Sequence, residues 1–180
     1  RLALEISAEG WAQLANRLGY VKEPLQGPFD FRGRIDRTGQ KLGYSGTIRS
    51  PRLTALNRVF EEIEGGLVGG REGMEIDLQR AVYAGGTVEG VISVDYEKTQ
   101  GEGEGTPVDL DLAFARLDLR TVAADQFGDD VPVVRELAGR ATGDLVYRFR
   151  TGNPVAGSGW VDVHLDAVHE RGVPIAGDAA

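Results

Sequence analysis

Val88-Glu89-Gly90-Val91-Ile92-Ser93-Val94-Asp95-Tyr96 alternates, with Gly90 as the one gap, between an apolar set and a mostly polar set. Successive side chains of a strand point to opposite faces, so Val88, Ile92, Val94 and Tyr96 share one side and Glu89, Ser93 and Asp95 the other. The same period recurs upstream. Met74, Ile76 and Leu78 alternate with Glu75 and Asp77, and Phe29, Phe31 and Ile35 with Asp30, Arg32 and Arg34. The run 41–49 puts Leu42, Tyr44 and Ile48 on one face. Downstream, Leu110, Leu112 and Phe114 alternate with Asp109, Asp111 and Ala113, and Val161, Val163 and Leu165 with Asp162 and His164. Leu145, Tyr147 and Phe149 follow the same rule in the run that opens at Gly139. One dry face and one wet face is the pattern of an antiparallel sheet, so the expected class is mainly β and elongated, with one or two short α-helices.

The helices are expected near 8–18, where Trp11, Leu14, Ala15 and Leu18 fall at helical spacing after Ser7, and near 118–127. Pro51 to Gly65 is open between helix and strand: Leu53, Leu56, Val59, Phe60 and Ile63 suit a helix, while Asn57, β-branched Val59 and Gly65-Gly66 leave strands possible. Strands are expected near 67–68, 73–79, 81–84 and 86–96, with breaks at Gly69-Gly70 and Gly85-Gly86. Arg37-Thr38-Gly39-Gln40 fits a hairpin turn, and Lys98 to Thr106 a polar linker. A loose repeat divides the chain: Leu2, Leu4 and Ile6 recur as Leu110, Leu112 and Phe114, and Gly27 as Gly139. The expected organisation is a first unit over 1–106 and a second, partial one over 107–180. Units of this kind bury their apolar faces by stacking on neighbours. The chain opens on Arg1, and both ends read as mid-pattern, so an interior piece of a longer protein is expected.

Composition narrows the function. Lys+Arg 20 against Asp+Glu 28 gives a net charge of -8, which disfavours nucleic acid because phosphate needs a basic surface. Cys 0 removes disulfide and thiolate chemistry and suits either the cytoplasm or a periplasm entered without disulfides. No apolar run approaches the roughly 18 residues of a membrane helix.

Motifs for catalysis are sparse. Gly101-Glu102-Gly103-Glu104-Gly105 lacks the Lys that a phosphate loop needs, and its glutamates repel phosphate. Asp162, His164 and Asp166 share one strand face and have ligand chemistry, but each expected strand carries such a charged face. No serine sits in a Gly-x-Ser-x-Gly elbow, and the acid pairs Glu61-Glu62 and Asp129-Asp130 are adjacent rather than convergent. The expectation is a non-enzyme that needs no cofactor and no metal. The apolar stripes then either close into an ordinary core or line an open trough. A structural spacer with a closed core and a sugar-binding β-sandwich with Trp11 and Trp160 as platforms stand as alternatives.

Pro24-Leu25-Gln26-Gly27-Pro28-Phe29-Asp30-Phe31-Arg32-Gly33-Arg34-Ile35 resembles the repeats of the TamB and AsmA-like family. So do Ala84-Gly85-Gly86-Thr87-Val88-Glu89-Gly90 and the closing Gly172-Val173-Pro174-Ile175. The likeness covers most of the chain and rests on short glycine-based motifs. It implies a protein anchored in the inner membrane of a diderm bacterium and extended through the periplasm. Its sheet would be curled into a taco-shaped groove, along which phospholipids pass toward the outer membrane in support of outer-membrane biogenesis. On that resemblance the stripes of the first paragraph contact phospholipid acyl chains. A TamA- or BamA-type barrel is the implied partner, through regions outside this chain, since neither the family's anchor nor its C-terminal region is recognisable here.

Overall fold

Every strand pairs antiparallel with the one before it. The computed structural model describes residues 2–9, 26–38, 41–55, 58–96, 105–128 and 130–166. In chain order the elements are β1 (Leu2–Glu9), β2 (Asp30–Thr38), β3 (Lys41–Ala55), β4 (Arg58–Gly70), β5 (Gly73–Tyr83) and β6 (Gly86–Asp95). Then follow β7 (Pro107–Asp118), the helices α1 (Leu119–Phe127) and α2 (Pro132–Glu136), β8 (Arg140–Arg150) and β9 (Asn153–Asp166). The strands form one open sheet in sequence order, β1 to β9. It is only slightly curved, less than the taco shape that the family resemblance implies. At about 4.8 Å per strand spacing, the sheet is roughly 38 Å across. The ladder from β6 to β7 runs Thr87↔Ala115 to Val94↔Val108, so the sheet continues without a break past residue 106.

Residues 51–55 and 58–65 are strand, not helix. Leu53 pairs with Phe60 and Thr54 with Val59, which turns the stretch into a hairpin. The paired ladder overrides a helical spacing that had no partner face to bury. The expected strands 73–79 and 81–84 are one strand, β5, joined through a register shift between Leu78 and Ala81. The expected helix near 8–18 begins with Ala8 and Glu9, which instead pair with Phe31 and Asp30 in the β1–β2 ladder. Its remainder, the tip Gly39-Gln40 and most of the expected linker lie outside the described residues.

The second helix forms at 119–127. Asp118 caps it, its carboxylate accepting from the Thr121 backbone N–H at 2.8 Å. Gly128, at φ 89°, ends it and donates to the Ala124 carbonyl at 2.7 Å. Among the described residues no helix is long and apolar enough to cross a membrane.

Three irregularities keep the dry face continuous. Shifts in register occur around Glu61–Gly65, between Leu78 and Ala81, and between Phe114 and Leu117. Glu62 and Arg116 take positive φ, 50° and 58°, at two of them. A bulge inserts one residue and so changes which side the next residue faces. Apolar residues three apart, Phe60 and Ile63, Leu78 and Ala81, Phe114 and Leu117, thereby meet in one cluster.

Glycines in the strands make room for aromatic rings laid flat on the sheet. A Cβ at Gly33 would fall 2.5 Å from Phe31 Cζ, and one at Gly46 2.8 Å from Phe31 Cε2. A Cβ at Gly69 would fall 2.5 Å from Tyr44 Cζ. Gly69→Val should therefore lift the Tyr44 ring and cost about 1–3 kcal/mol. Gly66 has open space on its side of the sheet, with only the Asp77 Cβ at 3.7 Å, and serves as the control. Gly66→Ala should stay within about 0.5 kcal/mol of wild type. Urea unfolding of the two variants checks both values.

Candidate functional site

Cross-strand register sets the expected lining residues in rows on one face. One row runs Phe31, Ile48, Gly65, Leu78, Gly90, Leu112, Leu145, Val161. The next runs Gly33, Gly46, Leu67, Ile76, Ile92, Leu110, Tyr147, Gly159. A third runs Ile35, Tyr44, Gly69, Met74, Val94, Val108, Phe149. Val88, Phe114, Gly143 and Val163 form a further partial row, and Ala141 pairs with Leu165 beyond it. Leu42 extends the face past Tyr44 and is 50% exposed, while Phe29 packs beside Phe31, Ile48 and Leu67.

This face is dry but thinly covered. Ile48, Leu67, Leu78, Val88, Val108 and Phe149 are buried by their neighbours. Ile76, Ile92, Val94, Leu110, Leu112, Leu145 and Tyr147 are only half-buried. Of the larger described side chains, Val134 and Ser50 alone fall below 2% exposure. A closed sandwich buries the inner faces of two sheets about 10 Å apart. The described residues contain one sheet.

Helix α1 closes one end of the face. It leaves β7 and crosses back over the strand ends toward β4. Its nine residues span about 13 Å at 1.5 Å each, close to three strand spacings of about 4.8 Å. Tyr83 of β5 donates its hydroxyl to Asp125 at 2.8 Å, and Arg58 of β4 donates to the Gln126 side-chain oxygen at 2.7 Å. Val122 packs on the cluster of Ile63, Leu78, Ala81, Tyr83, Val88 and Leu117, and Phe60 packs on Tyr83 with ring centroids 5.1 Å apart and the planes tilted by 30°. Burial first, and then the Asp125 carboxylate, pushes the Tyr83 phenol up to about 12. Periodicity alone did not single out Phe60, Ile63, Ala81, Tyr83 or Leu117 as members of this face, because the bulges break the period there.

The opposite end of the face is polar. Arg71 and Glu72 form the exposed β4–β5 turn, and the Tyr96 backbone N–H donates to the Glu72 carbonyl at 2.9 Å. The Tyr96 hydroxyl lies 3.9 Å from Met74 Sδ. Arg150 donates to the Gly105 carbonyl at 2.9 Å, and Thr106 and Thr151 bond each other across β7 and β8. These groups edge the dry rows with donors and acceptors.

No family model, curated protein or solved structure matches the chain.

The wet face carries paired charges. Arg148 meets Asp109 across β7 and β8, Arg80 meets Glu62 at 2.8 Å, and Arg49 meets Glu64 at 3.6 Å. A depression of about 430 Å³ is lined by Arg49, Ser50, Pro51, Glu62, Ile63, Glu64 and Arg80. Its two cations are matched by two anions, so it offers no net charge to a ligand. Asp162, His164 and Asp166 sit on this face of β9, with His164 Nε2 3.4 Å from Asp166 Oδ1. Among the described residues no three His, Asp or Glu side chains are grouped to hold an ion. Trp160 is 56% exposed and pairs with Val146, while Trp11 lies outside the described residues.

The Tyr83 shift has a defined sign. Below pH ~10 both folded and unfolded chains keep the phenol protonated, and its contribution is fully present. Between pH ~10 and the folded value of about 12 the unfolded chain ionises first, so stability falls as pH rises. Urea midpoints measured across this range should fall less steeply for Tyr83→Phe than for wild type. At neutral pH Tyr83→Phe should cost about 0.5–1.5 kcal/mol, the net worth of one hydrogen bond.

Proposed function

We propose that the chain is a segment of a shallow apolar trough that carries phospholipid acyl chains between two membranes. The observation that supports this reading is a single-layer sheet with in-register apolar rows on one side, charged groups on the other, and no second layer over the rows among the described residues. A lipid chain of ~16 carbons gains roughly 12 kcal/mol on leaving water, at about 0.8 kcal/mol per methylene. Rows repeating every ~4.8 Å offer a chain nearly the same environment at each strand. Sideways movement then meets no large barrier and needs no catalytic group.

The resemblance to TamB and AsmA-like repeats extends the proposal. On that reading the parent protein is anchored in the inner membrane of a diderm bacterium and crosses the periplasm. It moves phospholipid toward the outer membrane and supports outer-membrane biogenesis. It works beside a TamA- or BamA-type barrel that docks elsewhere on the protein. The chain itself is not an enzyme on this reading.

Ile92→Arg and Leu112→Arg test it. Both side chains are half-buried on the dry face, so an arginine there can extend its head to water at modest cost. Each variant should keep a melting temperature close to wild type and lose crosslinking to a phospholipid with a photoreactive acyl chain. Outright unfolding of both variants, with a wild type that never crosslinks, would show an ordinary closed core and defeat the proposal.

A further inference from the structure

The dry face does not stop where α1 begins. Leu78 and Leu112 stand in its first row, and both belong to or pack against the cluster of Ile63, Ala81, Tyr83, Val88 and Leu117 on which Val122 rests. The ladders from β4 to β7 join these strands directly, so the sheet under α1 holds together without it. The helix itself is held unevenly. Its root is fixed by backbone, with the Asp118 N–H donating to the Ala84 carbonyl at 2.8 Å and the Leu119 N–H to the Gly139 carbonyl at 3.2 Å. Beyond the root, side chains tie it to the sheet, Asp125 to Tyr83 and Gln126 to Arg58. None of its nine residues is buried, and Phe127 at the far end is 68% exposed. A helix this short is not stable in water alone, so α1 is helical only while it rests on the strands. Elements with few buried contacts and exposed hydrogen bonds open locally, without global unfolding.

We propose that α1 is a strap, hinged at Asp118 and Leu119, that lifts off β4 and β5 and uncovers the apolar cluster to a lipid acyl chain. This rests on the lipid reading above and adds a gate to it. With the strap down, a chain reaches only the open rows, those of Ile76, Ile92 and Leu110. With the strap up, Tyr83, Val88 and Leu117 join the same surface, and the chain covers more of it. The apolar area so removed from water is the force that draws the chain in. Lifting exchanges the two side-chain hydrogen bonds for bonds to water, so they favour the closed position only modestly.

A clamp tests the strap. The chain has Cys 0, so Arg58→Cys with Gln126→Cys places two unique thiols where the native side chains touch. A short flexible bismaleimide then ties α1 down. The full chain, bridged or unbridged, is irradiated with a phosphatidylcholine that carries a diazirine at the end of an acyl chain, and labelled residues are identified by mass spectrometry. Unbridged protein should be labelled at Ile63, Leu78 and Val88 as well as at Ile92 and Leu110. Bridging should abolish the first set and keep the second, and Tyr83→Phe, which removes one tie and keeps the ring, should raise the first set. Amide hydrogen exchange should be faster in α1 than in β5 and β6, and bridging should slow it. Labelling that is the same with and without the bridge, or α1 amides that exchange no faster than those of β6, would overturn the strap while labelling at Ile92 and Leu110 upholds the lipid reading. Absence of labelling at both sets would defeat the lipid reading, and the strap with it.

Discussion

The structure depends on one constraint, the antiparallel register that, shifted only at the bulges, carries a row of side chains from strand to strand on the same side. Phe31, Ile48, Leu78, Leu112 and Leu145 belong to five different strands, yet successive pairings put them in line. A slip of one residue would turn a whole strand's apolar set to water. The polar side resists such a slip as well, since Arg148 meets Asp109 and Arg49 meets Glu64 only in the observed pairing.

A single layer has little to pack against, and the chain compensates within the sheet. Phe31 lies over Gly33 and Gly46, and Tyr44 over Gly69, so large rings cover backbone that has no side chain of its own. Covering strand glycines with aromatics in this way stabilises the sheet without a second layer. Stability and an accessible apolar face are thus compatible in the same residues.

Helix α1 gives the face its direction. None of its residues is buried, and it is held by the Tyr83–Asp125 and Arg58–Gln126 hydrogen bonds together with Val122. The bulges at Glu62, Leu78 and Arg116 gather near this end. Bulges bend a strand and raise its twist, which lets Phe60, Tyr83 and Leu117 converge beneath the helix. The other end keeps its hydrogen-bonding groups at the margin. The two ends of the face thus differ, one closed over an apolar cluster and the other edged with polar groups.

By itself, the sequence determined the strand period, the dry and wet assignment of Phe31, Ile76, Ile92, Leu112, Tyr147 and Val163, and the helix after Asp118. These are local properties. Alternation depends on neighbours two residues away, and the helix on a cap and its first turn. Only the tertiary structure decided that Pro51 to Gly65 is a hairpin, since Leu53 and Phe60 reveal their pairing only when the ladder forms. It alone joined 73–79 with 81–84 and brought Ile63, Ala81 and Leu117 onto the dry face. A bulge breaks the period of two, and its place is set by the partner strand and by backbone such as Glu62 at φ 50°, which residue types do not announce. The openness of the sheet was likewise a tertiary matter. The same apolar stripes suit a closed core or an exposed face, and the choice lies in whether a second layer is laid over them.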